Sequence, residues 1–185
     1  MSGCLIAAFL LLHMANHIAM FWGQERHIAV MEALRPIYRA PLVEALLMAA
    51  LLFQIGSGLA MVWRTRRERS GLIDRAQAIS GIVLFLFIAN HVIAIWWGRL
   101  SLGLDTNFHF AAAGMHAGLA WFFVPYYALG VAALFVHLAC ALSWRMEGSA
   151  APLLLAGVGA VLAIGFVTVM AGDDAIPARY LDAYR

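Results

Sequence analysis

The sequence predicts an all-α integral membrane protein with five transmembrane helices. Of its 185 residues, 64% are hydrophobic and only 12% are charged, against about 45 to 50% and about 25% in ordinary soluble domains. Five apolar stretches are each long enough to supply the roughly 20 residues that cross a bilayer core. Because little sequence remains outside them, we expect a single transmembrane domain over residues 1–185, surrounded by lipid.

The predicted helices cover residues 5–22, 42–63, 76–97, 119–144 and 152–171. The first has no basic segment before it and no cleavage pattern after it, so we interpret it as a retained helix and not as a signal peptide. The second and fifth begin at or beside Pro41 and Pro152, and proline is tolerated in the first turn of a helix. The first four end at Trp, a residue that favours the membrane interface.

The charges predict the orientation in the membrane. The twelve cationic side chains are all Arg, and ten acids leave a net charge of +2, which is too small for a nucleic-acid-binding surface. Five Arg lie within residues 64–75, between the second and third helices. Short Arg-rich loops stay in the cytoplasm, so we expect a cytoplasmic N-terminus and an external C-terminus.

An internal repeat relates the first and third helices. Residues 15–22 (ANHIAMFW) align without gaps on residues 89–96 (ANHVIAIW), 74 positions later, with four of eight identical. The second and fourth helices also end alike, in Trp followed by Arg. The sequence therefore predicts two copies of a helix pair plus a fifth helix, with His17 and His91 at the same depth.

Four histidines lie inside the predicted spans: His13, His17, His91 and His137. An ionisable side chain in hydrocarbon costs free energy unless it has a partner, so it marks a candidate functional site. Two imidazoles from different helices can ligate a haem iron from opposite faces. We expect His17 and His91 to hold one haem b.

Two arginines and the remaining five histidines also bear on the predicted haem site. Arg26 and Arg99 follow the two histidines at similar intervals, where they can meet haem propionates. His13 and His137 either hold a second haem or line the bundle, since an intramembrane histidine is often a hydrogen-bonded packing residue. Three further histidines, His27, His109 and His116, are placed in loops and expected in solvent.

The third helix carries a family resemblance. Its segment Gln77-Ala78-Ile79-Ser80-Gly81, with His91 fourteen residues after Gln77, resembles the Q-x-x-[ST]-G motif of the cytochrome b subunit of di-haem fumarate reductases and related succinate:quinone oxidoreductases. That subunit has five membrane helices with haem-ligating histidines on the first four. The resemblance implies a four-helix haem-binding bundle, built from the two helix pairs, with a fifth helix beside it.

The resemblance also implies roles for single residues. His17 and His91 correspond to the distal haem ligands, and His137 corresponds to one proximal ligand. The chain departs from the family in its second helix, where residues 53–58 contain no histidine to complete the proximal pair. Gln77 and Ser80, polar groups about one turn inside the interface, either hydrogen-bond a quinone carbonyl or join helices.

The sequence as a whole predicts a non-catalytic haem b subunit of the bacterial inner membrane. It would carry electrons between a quinone and flavoprotein and iron–sulfur subunits docked at the Arg-rich loop of residues 64–75. Two alternatives remain open: a haem-free membrane anchor or assembly protein, and a small transporter lined by histidines. The missing histidine in the second helix favours the first, and the repeat is compatible with the second.

Overall fold

The described residues are helical almost throughout. The computed structural model describes residues 2–68, 71–172 and 175–184, and no β-strand occurs among them. Eight α-helices lie in this part of the chain. They are α1 (Ser2–Ala19), α2 (Gln24–Tyr38), α3 (Pro41–Arg64), α4 (Leu72–Leu100), α5 (Phe108–Gly114), α6 (Ala120–Ser143), α7 (Ala151–Ala171) and α8 (Ala178–Leu181).

Five helical segments of the described chain are long and apolar enough to cross a membrane. They are Gly3–Trp22, Pro41–Arg64, Leu72–Leu100, Phe108–Ser143 and Ala151–Ala171. Many large apolar side chains on them are exposed, among them Leu11, Leu52 and Val161. Since lipid satisfies such surfaces and water does not, these segments indicate a membrane protein.

The chain divides into two compact units, Met1–Arg67 and Glu68–Arg185. In the first unit, α1 packs against both α2 and α3. Between α1 and α2 the chain turns at Gly23, whose φ of +107° is a backbone conformation open mainly to glycine. Helix α2 then buries His27 and Met31, one turn apart, on its inner face. The charged Glu25, Arg26 and Glu32 are exposed on its other faces.

In the second unit, α6 packs against α4 on one side and α7 on the other. Glycines allow these helices to approach closely, as small residues do in membrane interfaces. A Cβ built on Gly159 of α7 would come within 2.1 Å of Phe135 Cβ on α6. Near the ends of these helices, α5 packs against α7 and the short α8, where Tyr180 is fully buried.

The predicted spans are confirmed, with changes at their ends. Helix α4 extends beyond the predicted residues 76–97 in both directions, so Arg75 and Arg99 lie on a helix and not in a loop. The expectation that His27 lies in a solvated loop was wrong, because the first loop forms α2 and His27 is buried on it. His109 likewise lies on α5, and His116 lies in the single π-turn that joins α5 to α6.

Each unit contains one copy of the repeated helix pair. In the first copy α1 and α3 are in contact, and in the second copy α4 and α6 are. A helix outside the predicted repeat connects the two members of each pair, α2 in the first unit and α5 in the second. Each copy of the repeat therefore consists of two helices with a connecting helix between them, and α7 follows the second copy.

Candidate functional site

The first unit brings two histidines of α1 into direct contact. His13 and His17 are one turn apart, and one Nε2 donates a hydrogen bond to the other at 3.1 Å. Their rings meet edge to face, with centroids 4.5 Å apart. Phe9 stacks on the other side of His13 at 5.4 Å. His13 and His17 therefore lie on one face of α1, and each provides a polar partner for the other.

His27 of α2 extends this cluster beyond the membrane span. Its ring centroid lies 5.4 Å from that of His17, and its Nε2 accepts a hydrogen bond from Asn16 Nδ2 at 3.2 Å. Burial lowers the pKa of His27 to about 4, so this imidazole is neutral at pH 7 and its Nε2 is available as an acceptor. The sequence placed His27 in solvent, and only the spacing of His27, Met31 and Arg35 on one helix face could have revealed it.

In the second unit an aromatic ring stacks on His91. Phe87, one turn earlier on α4, stacks on His91 with ring centroids 5.6 Å apart and planes 17° apart. Tyr126 of α6 contacts the same Phe87 ring at 4.8 Å, and its hydroxyl donates to Phe87 O at 3.1 Å. Phe87 and His13 are 74 positions apart, as are His91 and His17, so Phe87 and His13 occupy equivalent positions in the two repeat copies. Each copy therefore has an aromatic ring one turn before its histidine.

Gln77 and Ser80, the polar residues of the motif on α4, contact His137 of α6. Gln77 Nε2 lies 3.1 Å from His137 Nε2, His137 Nδ1 lies 3.2 Å from Ser80 Oγ, and Ser80 Oγ lies 3.2 Å from Gln77 O. The Gln77 amide donates to His137 Nε2, His137 Nδ1 donates to the Ser80 hydroxyl, and that hydroxyl donates to Gln77 O. The three hydrogen bonds form a closed cycle. Gln77 and Ser80 therefore join two helices, one of the two roles expected from the sequence.

One atom of this cluster remains unsatisfied. Gln77 Oε1 is buried and has no hydrogen-bond partner among the described residues. Gly81 makes the contact possible, because a Cβ there would lie 3.2 Å from His137 Cε1. Leaving a buried carbonyl oxygen unpaired costs free energy, so this oxygen is an available acceptor for a hydroxyl group of a bound molecule.

The remaining candidates lie at the ends of the helices. Arg26 is exposed on the first turn of α2, and Arg99 is in the last turn of α4, where a cation suits the negative end of the helix dipole. His116 Nε2 donates to Met170 O of α7 at 2.9 Å, and the His109 ring lies 5.6 Å from that of Tyr180. Both histidines thus have structural contacts within the second unit.

Imidazole nitrogens are the chemical type of donor that a low-spin haem b iron accepts. His17 lies in the first unit and His91 in the second. At His17 the Nε2 already bonds His13, so an iron at that nitrogen would replace this hydrogen bond. Both ring nitrogens of His137 have protein partners. Among the described residues, no three His, Cys, Asp or Glu side chains converge as a metal site.

No family model, no curated protein and no solved structure matches it.

Proposed function

We propose that this protein is a membrane haem b subunit that carries electrons between a quinone and partner redox subunits. The observation that carries the proposal is the pair of repeat-equivalent intramembrane histidines, His17 and His91, each in contact with a ring one turn earlier on its helix. A duplicated helix pair that repeats a histidine supplies two ligands of the same kind. A haem with two axial imidazoles requires such a pair.

In this proposal His17 and His91 hold the haem, and the haem supplies one-electron redox chemistry when bound. The exposed Arg26 and the Arg99 side chain at the end of α4 pair with its propionates. The chain's own contribution is to orient the imidazoles, through His13 and His27 beside His17 and through Phe87 beside His91. His137 is assigned a different role, because both of its ring nitrogens are already hydrogen-bonded.

The quinone is assigned to the cluster of Gln77, Ser80 and His137. Its support is the buried Gln77 Oε1, which has no hydrogen-bond partner in the described chain. A quinol hydroxyl would donate to this oxygen, and the adjacent His137 imidazole makes the site polar within an otherwise apolar span. The resemblance of residues 77–81 to the cytochrome b motif favours the same assignment. Flavoprotein and iron–sulfur partners would dock at the Arg-rich residues 64–75.

Absorbance spectroscopy tests the haem. Protein purified in detergent from haem-sufficient cells should give a sharp reduced-minus-oxidised band of low-spin haem b. The band should be lost in His17→Ala and in His91→Ala and kept in His116→Ala, a control histidine bonded to Met170 O. A colourless wild-type protein would overturn the proposal.

A second candidate function is a small proton-conducting transporter. It is favoured by the His13–His17 hydrogen bond and by the contact of His17 with His27, which together place three imidazoles side by side. Chains of histidines relay protons in membrane transporters. Reconstituted, haem-free wild-type protein would then move protons into liposomes containing a pH-sensitive dye, and His13→Ala would stop this flux. Absence of both flux and colour would favour the haem-free anchor.

A further inference from the structure

Four residues at the end of α3 form an exposed cationic surface. Helix α3 ends at Arg64, and Arg66 and Arg67 follow two and three residues later. All three arginines are exposed, and Trp63 is 68% exposed. Trp63, Arg64, Arg66 and Arg67 all belong to the first unit, and we call them the arginine surface.

Arg66 is held against Trp63. Its guanidinium lies over the Trp63 ring, 4.0 Å from the ring centroid, and its Nη1 donates a hydrogen bond to Trp63 O. Exposed Trp rings of membrane spans lie at the level of the lipid headgroups, so this contact holds the Arg66 cation at that level. A guanidinium has five N–H donors, and only one of them is used in the hydrogen bond to Trp63. The others can bind an anion.

The other two cations of the arginine surface lack a protein counter-ion in the described chain. Neither Arg64 nor Arg67 makes a hydrogen bond or an ion pair with the residues that the structure describes. In the turn before them, the apolar Leu59 and Met61 are exposed. An exposed apolar surface that continues into a group of cations suits a ligand with acyl chains and a negatively charged headgroup, and suits a water-soluble partner less well.

The second copy of the repeat ends in the same Trp–Arg pair without the cationic surface. Trp144 and Arg145 lie just beyond α6, and both are exposed. At the next equivalent positions, where the first copy has its two further arginines, the second copy has Glu147 and Gly148. The dense cationic surface is therefore a property of the first copy alone, and the second copy is a natural control for it.

We propose that the arginine surface binds the phosphodiester headgroup of an anionic phospholipid, whose acyl chains lie along the apolar end of α3. The inference goes beyond the proposed haem function and does not depend on it. Guanidinium groups match the geometry of phosphate oxygens and bind them through two parallel hydrogen bonds. Groups of cations beside a membrane span attract anionic lipids in preference to zwitterionic ones.

Native mass spectrometry of the full chain, purified and delipidated in a neutral detergent, tests the proposal. The probes are phosphatidylglycerol and phosphatidylcholine with the same acyl chains, and the measured quantities are the number of lipids bound and their dissociation constants. The wild type should bind phosphatidylglycerol more tightly than phosphatidylcholine. Glycerol phosphate, which has the headgroup charge but no acyl chains, should show no binding at the same concentrations.

The two copies of the repeat supply matched variants. Arg67→Ala should weaken phosphatidylglycerol binding about fivefold, the factor expected for one cation near a membrane surface. Arg66→Glu gives the first copy the residue of the second and should weaken it further, because an attraction becomes a repulsion. Arg145→Ala is the control and should change the affinity little. Glu147→Arg should add a second bound phosphatidylglycerol. Phosphatidylcholine binding and the melting temperature should stay as in the wild type, which shows that the variants fold.

The outcomes that would overturn the proposal are distinct from those that concern the haem. Equal affinities of the wild type for the two lipids would contradict it. Equal weakening in Arg67→Ala and Arg145→Ala would show that only the net charge matters and that no lipid site exists at α3. If Arg66→Glu does not fold, Arg67→Ala decides, and unchanged affinity in that variant would leave the arginines to a protein partner. A colourless preparation would overturn the haem function and leave this inference intact.

Discussion

At the scale of single residues, each intramembrane histidine has a partner from its own unit. His13 and His17 bond each other, His91 stacks on Phe87, and His137 bonds two side chains of α4. A polar group in hydrocarbon otherwise costs several kcal/mol. The partners are of different kinds: His13 and His17 bond within one helix, whereas His137 joins α4 to α6.

Removal of the His137 imidazole should weaken the joint between α4 and α6 without removing the haem. His137→Leu eliminates two hydrogen bonds and leaves Gln77 and Ser80 with buried polar atoms, so the free energy of unfolding should fall by about 2 kcal/mol. Leu138→Ala, at an exposed neighbouring position, should have a smaller effect. Thermal unfolding in detergent measures the loss of stability, and the haem absorbance band shows whether the haem is retained.

Loss of the haem band in His137→Leu would contradict this assignment. It would instead make His137 the iron ligand that the family resemblance implies. Under the proposed function, quinol oxidation in the presence of the partner redox subunits should be lost in His137→Leu and retained in Leu138→Ala, because only the first removes a group beside Gln77 Oε1.

Alkaline pH should loosen the C-terminal segment through Tyr184. Its ring packs against Phe123 at 5.6 Å, Tyr127 is near enough to interact with it electrostatically, and burial raises the pKa of Tyr184 above its ordinary value of 10.0. The unfolded segment therefore ionises first as the pH rises. The contribution of Tyr184 to stability is complete below pH 10 and is lost as the pH rises through the folded pKa.

Thermal unfolding between pH 8 and pH 11 tests this expectation. The wild type should lose about 2 °C more in melting temperature than Tyr184→Phe, whose ring keeps the contact with Phe123 but cannot ionise. Equal losses in the two proteins would show that the Tyr184 hydroxyl does not couple to folding.

At the scale of elements, hydropathy was sufficient to find the spans but not the shorter helices. The spans are long and apolar, so their existence depends on composition alone. Helix α2 carries several charges and one proline, and only two of its residues, His27 and Met31, are buried. Such a short pattern does not stand out from a polar loop until α1 is present to pack against it.

The candidate site was predictable in its parts but not in its contacts. The repeat identified His17 and His91, and the motif identified Gln77 and Ser80. The contact of Gln77 with His137, which is 60 positions away, depends on the register of α4 against α6. Register is set by small residues such as Gly81 and Gly130, and their fit is a property of two packed helices, which one sequence segment does not contain.

Two glycines of α7 provide a paired test of helix packing. Gly159→Ala should destabilise the contact with α6 by about 1 to 3 kcal/mol, because the new Cβ would overlap Phe135 Cβ. Gly157→Ala, two residues earlier, meets nothing within 4 Å. It should be neutral or should stabilise the helix by about 0.5 kcal/mol. Equal unfolding midpoints for the two variants would contradict the close packing of α6 and α7.

At the scale of the whole molecule, the charge distribution and the number of spans together predict the topology. Five crossings by the described helices would place the two ends of the chain on opposite sides of the membrane. The Arg-rich residues 64–75 run from the last residue of α3 into the first turn of α4, and short Arg-rich loops are expected in the cytoplasm. The α4–α5 connection, which begins at Ser101, would then face the outside.

Cysteine labelling can establish this orientation. Glu68 and Ser101 lie beyond opposite ends of α4, and both are exposed. In a background in which Cys4 and Cys140 are replaced by Ser, a membrane-impermeant maleimide added to spheroplasts should label Ser101→Cys and not Glu68→Cys. Glu68→Cys should react only after the membrane is opened. The opposite labelling pattern would place the Arg-rich loop outside the cell. The proposed docking surface for cytoplasmic redox subunits would then also lie outside, so both the orientation and the partner assignment would be wrong.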